Sequence, residues 1–253
     1  MTLTSEAAAQ VAAAGKPDYG IDAPGVIRNL ALVAVAAFAI AVVFPPRVHI
    51  GPVNLGLRPT MLATGTACFL EAVLMLVYAR WGKFRHRDRM LRMVPWRGNE
   101  AVLDVGTGRG LLMIGAAKSP GVARAVGIDV WNAEDLSGNR MENTLRNAQL
   151  EGVRDRVEVR NEDARQMSFP DGSFDVVLSN LCIHNIYQRE GRDAACREIL
   201  RVLRRGGCAV ISDFRHTADY ARVFKAAGAQ VERYRANPLA AFPPIGIVRV
   251  VKP

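Results

Sequence analysis

The feature that most constrains this chain is the run Ala101-Val102-Leu103-Asp104-Val105, followed by Gly106-Thr107-Gly108-Arg109-Gly110 and then by the apolar stretch Leu111 to Lys118. The first block has the composition of a short buried strand and the last that of a helix. The alternating glycines between them allow a sharp turn whose backbone approaches a ligand with no Cβ in the way. The first N–H groups of such a helix have no partner within it and face that ligand. Strand, glycine turn and helix in this order predict a doubly wound α/β sheet that binds its ligand at the carboxyl ends of the strands. The spacing is G-x-G-x-G with an acid inside the strand, which differs from the G-x-G-x-x-G of dinucleotide-binding folds.

The segments that follow repeat the alternation. Ala125-Val126-Gly127-Ile128-Asp129 is a second strand, and its terminal acid lies 23 positions after Gly106. A carboxylate at that place is able to accept both hydroxyls of a ribose. A third strand, Arg156 to Arg160, leads into Asn161-Glu162-Asp163-Ala164, and a turn at Phe169-Pro170-Asp171-Gly172-Ser173 precedes a buried strand ending at Asn180. A helix over Arg192 to Arg205, the turn Gly206-Gly207, a strand Cys208 to Asp213, a helix near Asp219 to Ala227, and strands near Gln230 to Arg235 and Ile245 to Val251 complete the series.

These segments resemble the class I, Rossmann-like S-adenosylmethionine-dependent methyltransferases, in particular the small-molecule and lipid enzymes of types 11 and 25. The first motif of that family is an apolar strand ending in Asp or Glu, x, Gly, x, Gly, x, Gly, and residues 101–110 match every fixed position. Pro170-Asp171-Gly172-Ser173-Phe174-Asp175-Val176-Val177 is a second family phrase. Leu203-Arg204-Arg205-Gly206-Gly207 is similar to a third, with Arg205 in place of the usual proline. The resemblance implies an α/β fold with a doubly wound seven-stranded sheet of order 3-2-1-4-5-7-6, its last strand antiparallel, over residues 101–253. It implies S-adenosyl-L-methionine as cofactor, with Asp104, Gly106, Thr107, Gly108 and Gly110 forming the loop around it. Asp129 would hold the ribose, Asp163 and Ala164 would lie against the adenine ring with Asp163 at its exocyclic amine, or Asp163 would be a helix cap or loop acid, and Val130 and Asn180 would belong to the cofactor site; Trp131 offers a face to the adenine or packs plainly. Nucleotide binding without methyl transfer is the competing reading of the glycine turn alone.

Methyl transfer from a sulfonium is an in-line displacement that depends on positioning more than on acid catalysis. A base helps where the acceptor must lose a proton. His184, in Asn180-Leu181-Cys182-Ile183-His184 at the carboxyl edge of the sheet, is the candidate base, with packing beside the cofactor as the alternative role. Asn180 is not followed by Pro-Pro-aromatic, which argues against the amino-group methyltransferases of DNA. Cys68, Cys182, Cys196 and Cys208 form no C-x-x-C pair, so neither a metal site, a disulfide framework nor arsenic chemistry is indicated.

The first hundred residues have a different composition. Residues 1–25 read as a flexible tail. Between Arg28 and Arg47 the chain carries no charge, and Pro59 to Ala79 is interrupted only by Glu71. A bilayer span needs roughly 20 apolar residues, so residues 26–80 predict a transmembrane hairpin with helices at about 28–46 and 59–79. The connection holds Pro45-Pro46 and Gly51-Pro52. A signal peptide is the alternative for the first block. Arg80, Lys83, Arg85, Arg87, Arg89, Arg92 and Arg97 follow the second block. By the positive-inside rule they put that end, and the catalytic domain, in the cytoplasm. Residues 81–100 then read as a basic juxtamembrane linker or lid able to meet anionic headgroups, with an exposed solvated linker as the alternative.

The formal net charge of +9 could also serve nucleic acid. Its concentration beside an apolar block favours a membrane surface. So short a lid leaves the acceptor pocket to be completed by hairpin or membrane, which favours a small-molecule or lipid-like acceptor such as a quinone precursor, a phospholipid amine or a membrane peptide. Phe242 and the neighbouring prolines would border that pocket, or form a plain surface loop. The alternatives are a methyltransferase of RNA or protein recruited to the membrane, and a non-catalytic sensor of S-adenosylmethionine. Oligomeric state leaves no signature in the sequence.

Overall fold

The computed structural model describes residues 15–51, 53–235 and 242–253. The helix α1 (Pro24–Val43), the short strands β1 (Val48–Ile50) and β2 (Val53–Leu55), and α2 (Leu57–Val77) form an N-terminal hairpin. A π-helical turn, Tyr78–Gly82, carries α2 directly into α3 (Lys83–Arg92). Then come β3 (Ala101–Val105), α4 (Leu111–Ala117), β4 (Arg124–Asp129), α5 (Met141–Leu150), β5 (Val157–Asn161), β6 (Phe174–Asn180), α6 (Arg189–Val202), β7 (Leu203–Asp213), α7 (Thr217–Ala226), β8 (Gln230–Tyr234) and β9 (Gly246–Val251).

The seven strands of the domain pair in the order β5-β4-β3-β6-β7-β9-β8. The inner strands are parallel, and β9 runs antiparallel to both β7 and β8. This is the topology expected over residues 101–253. β3 is buried along its whole length because both faces are covered. On one face Met90, Met113 and Ile114 of α3 and α4 pack with Val102 and Val210; on the other Ile199, Tyr220 and Phe224 of α6 and α7 pack with Leu103 and Phe174. Truncating a ring such as Phe224 in this packing costs about 3–5 kcal/mol.

In the hairpin, Ala34, Ala37, Ala41 and Ala72 are buried, and Gly65 lies so near Phe38 that an added Cβ would come within 2.7 Å of the ring. Small residues at the contact let the two backbones approach closely, as in helix pairs within lipid. The remaining faces are apolar and outward, with Val35 67%, Val42 78% and Phe69 52% exposed. Core helices of a water-soluble domain would bury such residues.

Four expectations change. The flexible tail holds at most for residues 1–14, which lie outside the described residues. Residues 18–23 form a strap across the domain. Asp18 N–H donates to Asn147 Oδ1, Asn147 Nδ2 donates to Asp18 O, Tyr19 Oη donates to Glu151, Ile21 N–H donates to Ser137 Oγ, and Ala23 N–H donates to Asp135 O. The linker at 81–100 is the π-turn and α3, whose Met90 is fully buried and whose Leu91 and Arg87 close over Gly115 of α4. The first apolar helix starts at Pro24 rather than 28 and stops at Val43, ahead of Pro45-Pro46. Proline is tolerated in a first helical turn and Pro45 is not tolerated further along. The second starts at Leu57.

Asn147 holds both the strap and the glycine turn, since its Nδ2 also donates to Arg109 O. Asn147→Ala removes the partner of three part-buried backbone groups, Asp18 N–H, Asp18 O and Arg109 O. We expect it to lower unfolding stability by about 1–3 kcal/mol and to remove hydrogen-exchange protection from the Ile21 and Ala23 amides, as read by exchange mass spectrometry.

Candidate active site

The glycine turn between β3 and α4 has left-handed backbone at Gly106 (φ 74°) and Gly108 (φ 53°). A side chain at Gly106 would overlap Cys182, so position 106 is closed to anything larger on two counts. Asp104 pins the turn from beneath. Its Oδ2 accepts from Thr107 Oγ1 (2.9 Å) and from Met113 N–H (2.9 Å), while Oδ1 has no partner among the described residues. Burial pushes the Asp104 carboxyl up to about 7. A cation placed beside it would favour the ionised form.

Asp129, at the carboxyl end of β4, accepts from Gly108 N–H (2.7 Å) through Oδ2, and from Trp131 N–H (2.7 Å) and Asn139 Nδ2 (3.2 Å) through Oδ1. The carboxylate thus joins two adjacent loops at the rim of one cavity. That cavity, of about 1160 Å³, is lined by Asp104, Gly106, Thr107, Gly108, Asp129, Val130, Asp163, Ala164, Asn180 and His184. These are sequence-predicted site residues brought together at the carboxyl edge of the sheet.

Gly110 and Trp131 do not line it. Gly110 (φ 87°) instead caps α4, with Ile114 and Thr144 against it. Trp131 sits in a left-handed turn (φ 60°) fixed by its N–H donation to Asp129, so the adenine face expected of it is not presented to the cavity. Asp163 reaches the cavity with its carboxylate gripped by Arg165 at 2.5 Å, which holds that carboxyl below its usual range. Its expected partner amine would have to share it with the guanidinium.

His184 stands on the wall beside β6. Its Nδ1 is 2.7 Å from Asp213 Oδ1, and its own backbone N–H donates to Asp213 Oδ2. Asp213, 1% exposed, also accepts from Tyr220 Oη (3.2 Å) and Phe214 N–H, and the Phe214 ring meets the imidazole edge to face at 4.6 Å. The backbone N–H bond seats His184 beside the carboxylate, and Nδ1 lies within ion-pair distance of it without the alignment of a hydrogen bond, so Asp213 positions the ring but does not fix its tautomer. Cys182, also at the cavity, is partly buried, and desolvation together with Asp129 and Asp213 raises its thiol well above the ordinary range and makes it a poor nucleophile.

Several functional residues went unread in the sequence. Asp213 had a legible signal, an acid at a strand's carboxyl end, as Asp129 is. Tyr78 had none: the π-turn inserts one extra residue and brings its buried hydroxyl against Asn180. Lys83, counted among surface cations, is 4% exposed; its Nζ donates to Tyr19 O (2.8 Å) and Gly20 O (2.5 Å) and lies 3.4 Å from Asp22. Arg109 pairs with Asp18 at 3.0 Å. Tyr19, Asp22 and Ala23 of the strap and Asn29 and Glu71 of the hairpin complete the cavity wall, with Phe242 and Pro243 at its border.

The residues fit S-adenosylmethionine. Asp129 stands where a ribose diol needs an acceptor, Val130 and Ala164 supply apolar wall, and the buried Asp104 Oδ1 and Asn180 Oδ1, unpartnered among the described residues, suit an ammonium group.

Comparison with known proteins agrees. Residues 103–211 match the methyltransferase domain family. Over 131 residues, 51% of this chain and 44% of the other, it is 31% identical to 27-O-demethylrifamycin SV methyltransferase of Amycolatopsis mediterranei (strain S699). The chain spans about half the length of the curated relatives it matches. Among solved structures it is similar to the [4+2]-cyclase SpnF (TM-score 0.56, 19% identity, 67% of this chain and 80% of that one). It is also similar to geranyl diphosphate methyltransferase in complex with SAM (TM-score 0.56, 15% identity, 67% and 85%). At such identities the two structures speak for the fold alone. Residues 103–211 carry the match to the methyltransferase domain family, and they lie within a seven-stranded sheet of order β5-β4-β3-β6-β7-β9-β8, the fold shared with these solved structures.

Proposed function

We propose that this protein is a membrane-anchored methyltransferase that uses S-adenosylmethionine to methylate a small-molecule or lipid-like acceptor at the cytoplasmic face of a membrane. The observation that carries the reading is the His184–Asp213 pair on the wall of the same cavity as Asp129 and the glycine turn. A sensor that only binds the cofactor has no use for an oriented base. The rifamycin relative is named for transfer to an oxygen of a small molecule, which supports an acceptor of that class.

When bound, S-adenosylmethionine supplies a methyl group on a sulfonium that departs as a neutral thioether. Asp129 holds the ribose, and Asp104 and Asn180 accept from the ammonium. Asp213 aims the imidazole, and His184 Nε2 receives the acceptor's proton as the new bond forms. The strap, locked by Lys83, keeps water from the cavity and adds orientation, which supplies most of the rate in a displacement of this kind.

The anchoring reading rests on two helices that are apolar on their outward faces, with only 17% and 11% of their most apolar stretches buried. A soluble core helix would be mostly buried, and a signal sequence would not account for the second helix. Arg80, Arg85, Arg92 and Arg97 are exposed at the domain end of the hairpin, where anionic headgroups would meet them.

Four outcomes test this. Incubating the full-length protein with methyl-labelled S-adenosylmethionine and a membrane lipid extract should label a lipid-soluble product; the protein should stay in the membrane pellet after alkaline carbonate, and its release would contradict the anchor. Asp129→Ala should weaken cofactor binding at least tenfold by calorimetry, about 1.4 kcal/mol. His184→Ala and Asp213→Asn should each lower kcat by roughly 10²–10⁴ while cofactor affinity stays within a few fold; equal losses in binding and turnover would assign the pair to packing.

A further inference from the structure

The cavity does not end at the sheet. It continues to the feet of the hairpin, where Leu30 of α1 and Met75 of α2 line it together with Asn29 and Glu71. At 1.5 Å rise per residue, Leu30 lies about 9 Å along α1 from Pro24, and Glu71 lies about 9 Å along α2 from Val77. The same cavity therefore reaches both helices at one matched depth. Beyond that level the helix pair is shut, with Gly65 against Phe38 and Ala34, Ala37 and Ala41 buried. On the hairpin the cavity lining is confined to the feet, where a headgroup layer would meet the hydrocarbon. Its wall is mixed: Leu30 and Met75 are apolar, whereas Arg28, Asn29 and Glu71 are polar or charged. The same cavity is lined by His184, which lies beside Asp213.

We infer that the gap between the feet of α1 and α2 is the acceptor's entrance, and that the acceptor is a membrane-resident amphiphile with a phenol-type hydroxyl head and an apolar tail. This rests on reading the hairpin as a membrane anchor. The tail stays between Leu30, Met75 and the bilayer, and the head passes Asn29 and Glu71 to reach the imidazole. The hydroxyl follows from the base. An imidazole placed within reach of an O–H that must be lost as an ether forms serves as its general base. In the step, the acceptor O–H bond breaks and its proton goes to His184 Nε2. The oxygen's electron pair forms the O–CH₃ bond as the S–CH₃ bond breaks, and that bond's electrons return to sulfur, leaving an aryl methyl ether, a neutral thioether and imidazolium.

The test uses the full-length protein in phosphatidylcholine–phosphatidylglycerol vesicles with methyl-labelled S-adenosylmethionine and para-alkylphenols carrying no chain, eight carbons or sixteen carbons. The inference expects aryl ether formation with kcat/KM rising at least 100-fold from the chainless to the sixteen-carbon phenol. Leu30→Trp, which plugs the entrance, should lower the ratio of long-chain to chainless turnover at least tenfold. Met75→Trp plugs the opposite wall and serves if the first variant does not melt cooperatively. Turnover independent of chain length, an unchanged ratio in both plugged variants, or no ether from any phenol overturns the inference. Release of the protein by carbonate is the separate result that would overturn the anchor itself.

Discussion

The ammonium of Lys83 is the interaction on which the rest of the site depends. Buried without partners, such a charge would cost several kcal/mol. Here it is met by two backbone carbonyls of the strap, Tyr19 O and Gly20 O, and by Asp22. Lys83 begins the helix that follows the hairpin, and Asp22 stands two residues before the helix that opens it. One cation thereby fastens both feet of the hairpin to each other and to the strap. Gly20 shows how closely the strap is seated, since a Cβ there would come within 2.8 Å of Ser137 O and 3.0 Å of Arg109.

The consequence is a cavity with walls from three sources. The sheet contributes the glycine turn, Asp129, Asn180 and the His184–Asp213 pair; the strap contributes Tyr19 and Asp22; the hairpin contributes Asn29, Glu71 and, through the π-turn, Tyr78. Cofactor loop and strap are tied again through Asn147 and through Arg109 with Asp18. The exposed Asp18–Arg109 pair adds little by itself, because an ion pair open to solvent is worth under about 1 kcal/mol. The buried amide and ammonium set the geometry.

How much of this was legible follows from where each signal resides. The strands, the glycine turn and Asp129 are local patterns of apolar period and turn chemistry, and they were read in place. Helix α5 was not, because its buried face is polar: Thr144 Oγ1 donates to Gly108 O at 2.6 Å, and Asn147 serves the strap. A helix that buries hydrogen-bonding groups carries no apolar stripe to read. The strap is a run of backbone hydrogen bonds to residues more than a hundred positions away, which leaves no trace in its own composition. Lys83 sits in a run of cations of which Arg80, Arg85, Arg92 and Arg97 face solvent, and only the return of residues 18–23 distinguishes it. Trp131 was misread because an aromatic after a strand-end acid says nothing about the left-handed turn that Asp129 imposes on it.

The central claim is that hairpin, strap and cofactor pocket form one site held by Lys83. The most direct measurement is the equilibrium dissociation constant for S-adenosylmethionine of the full-length protein in lipid vesicles, compared between the parent and Lys83→Met, a change that keeps an unbranched side chain only one atom shorter and removes its charge. The account predicts binding at least tenfold weaker in the variant, with the protein still retained by the vesicles. An unchanged dissociation constant in a folded, membrane-retained Lys83→Met protein would contradict it.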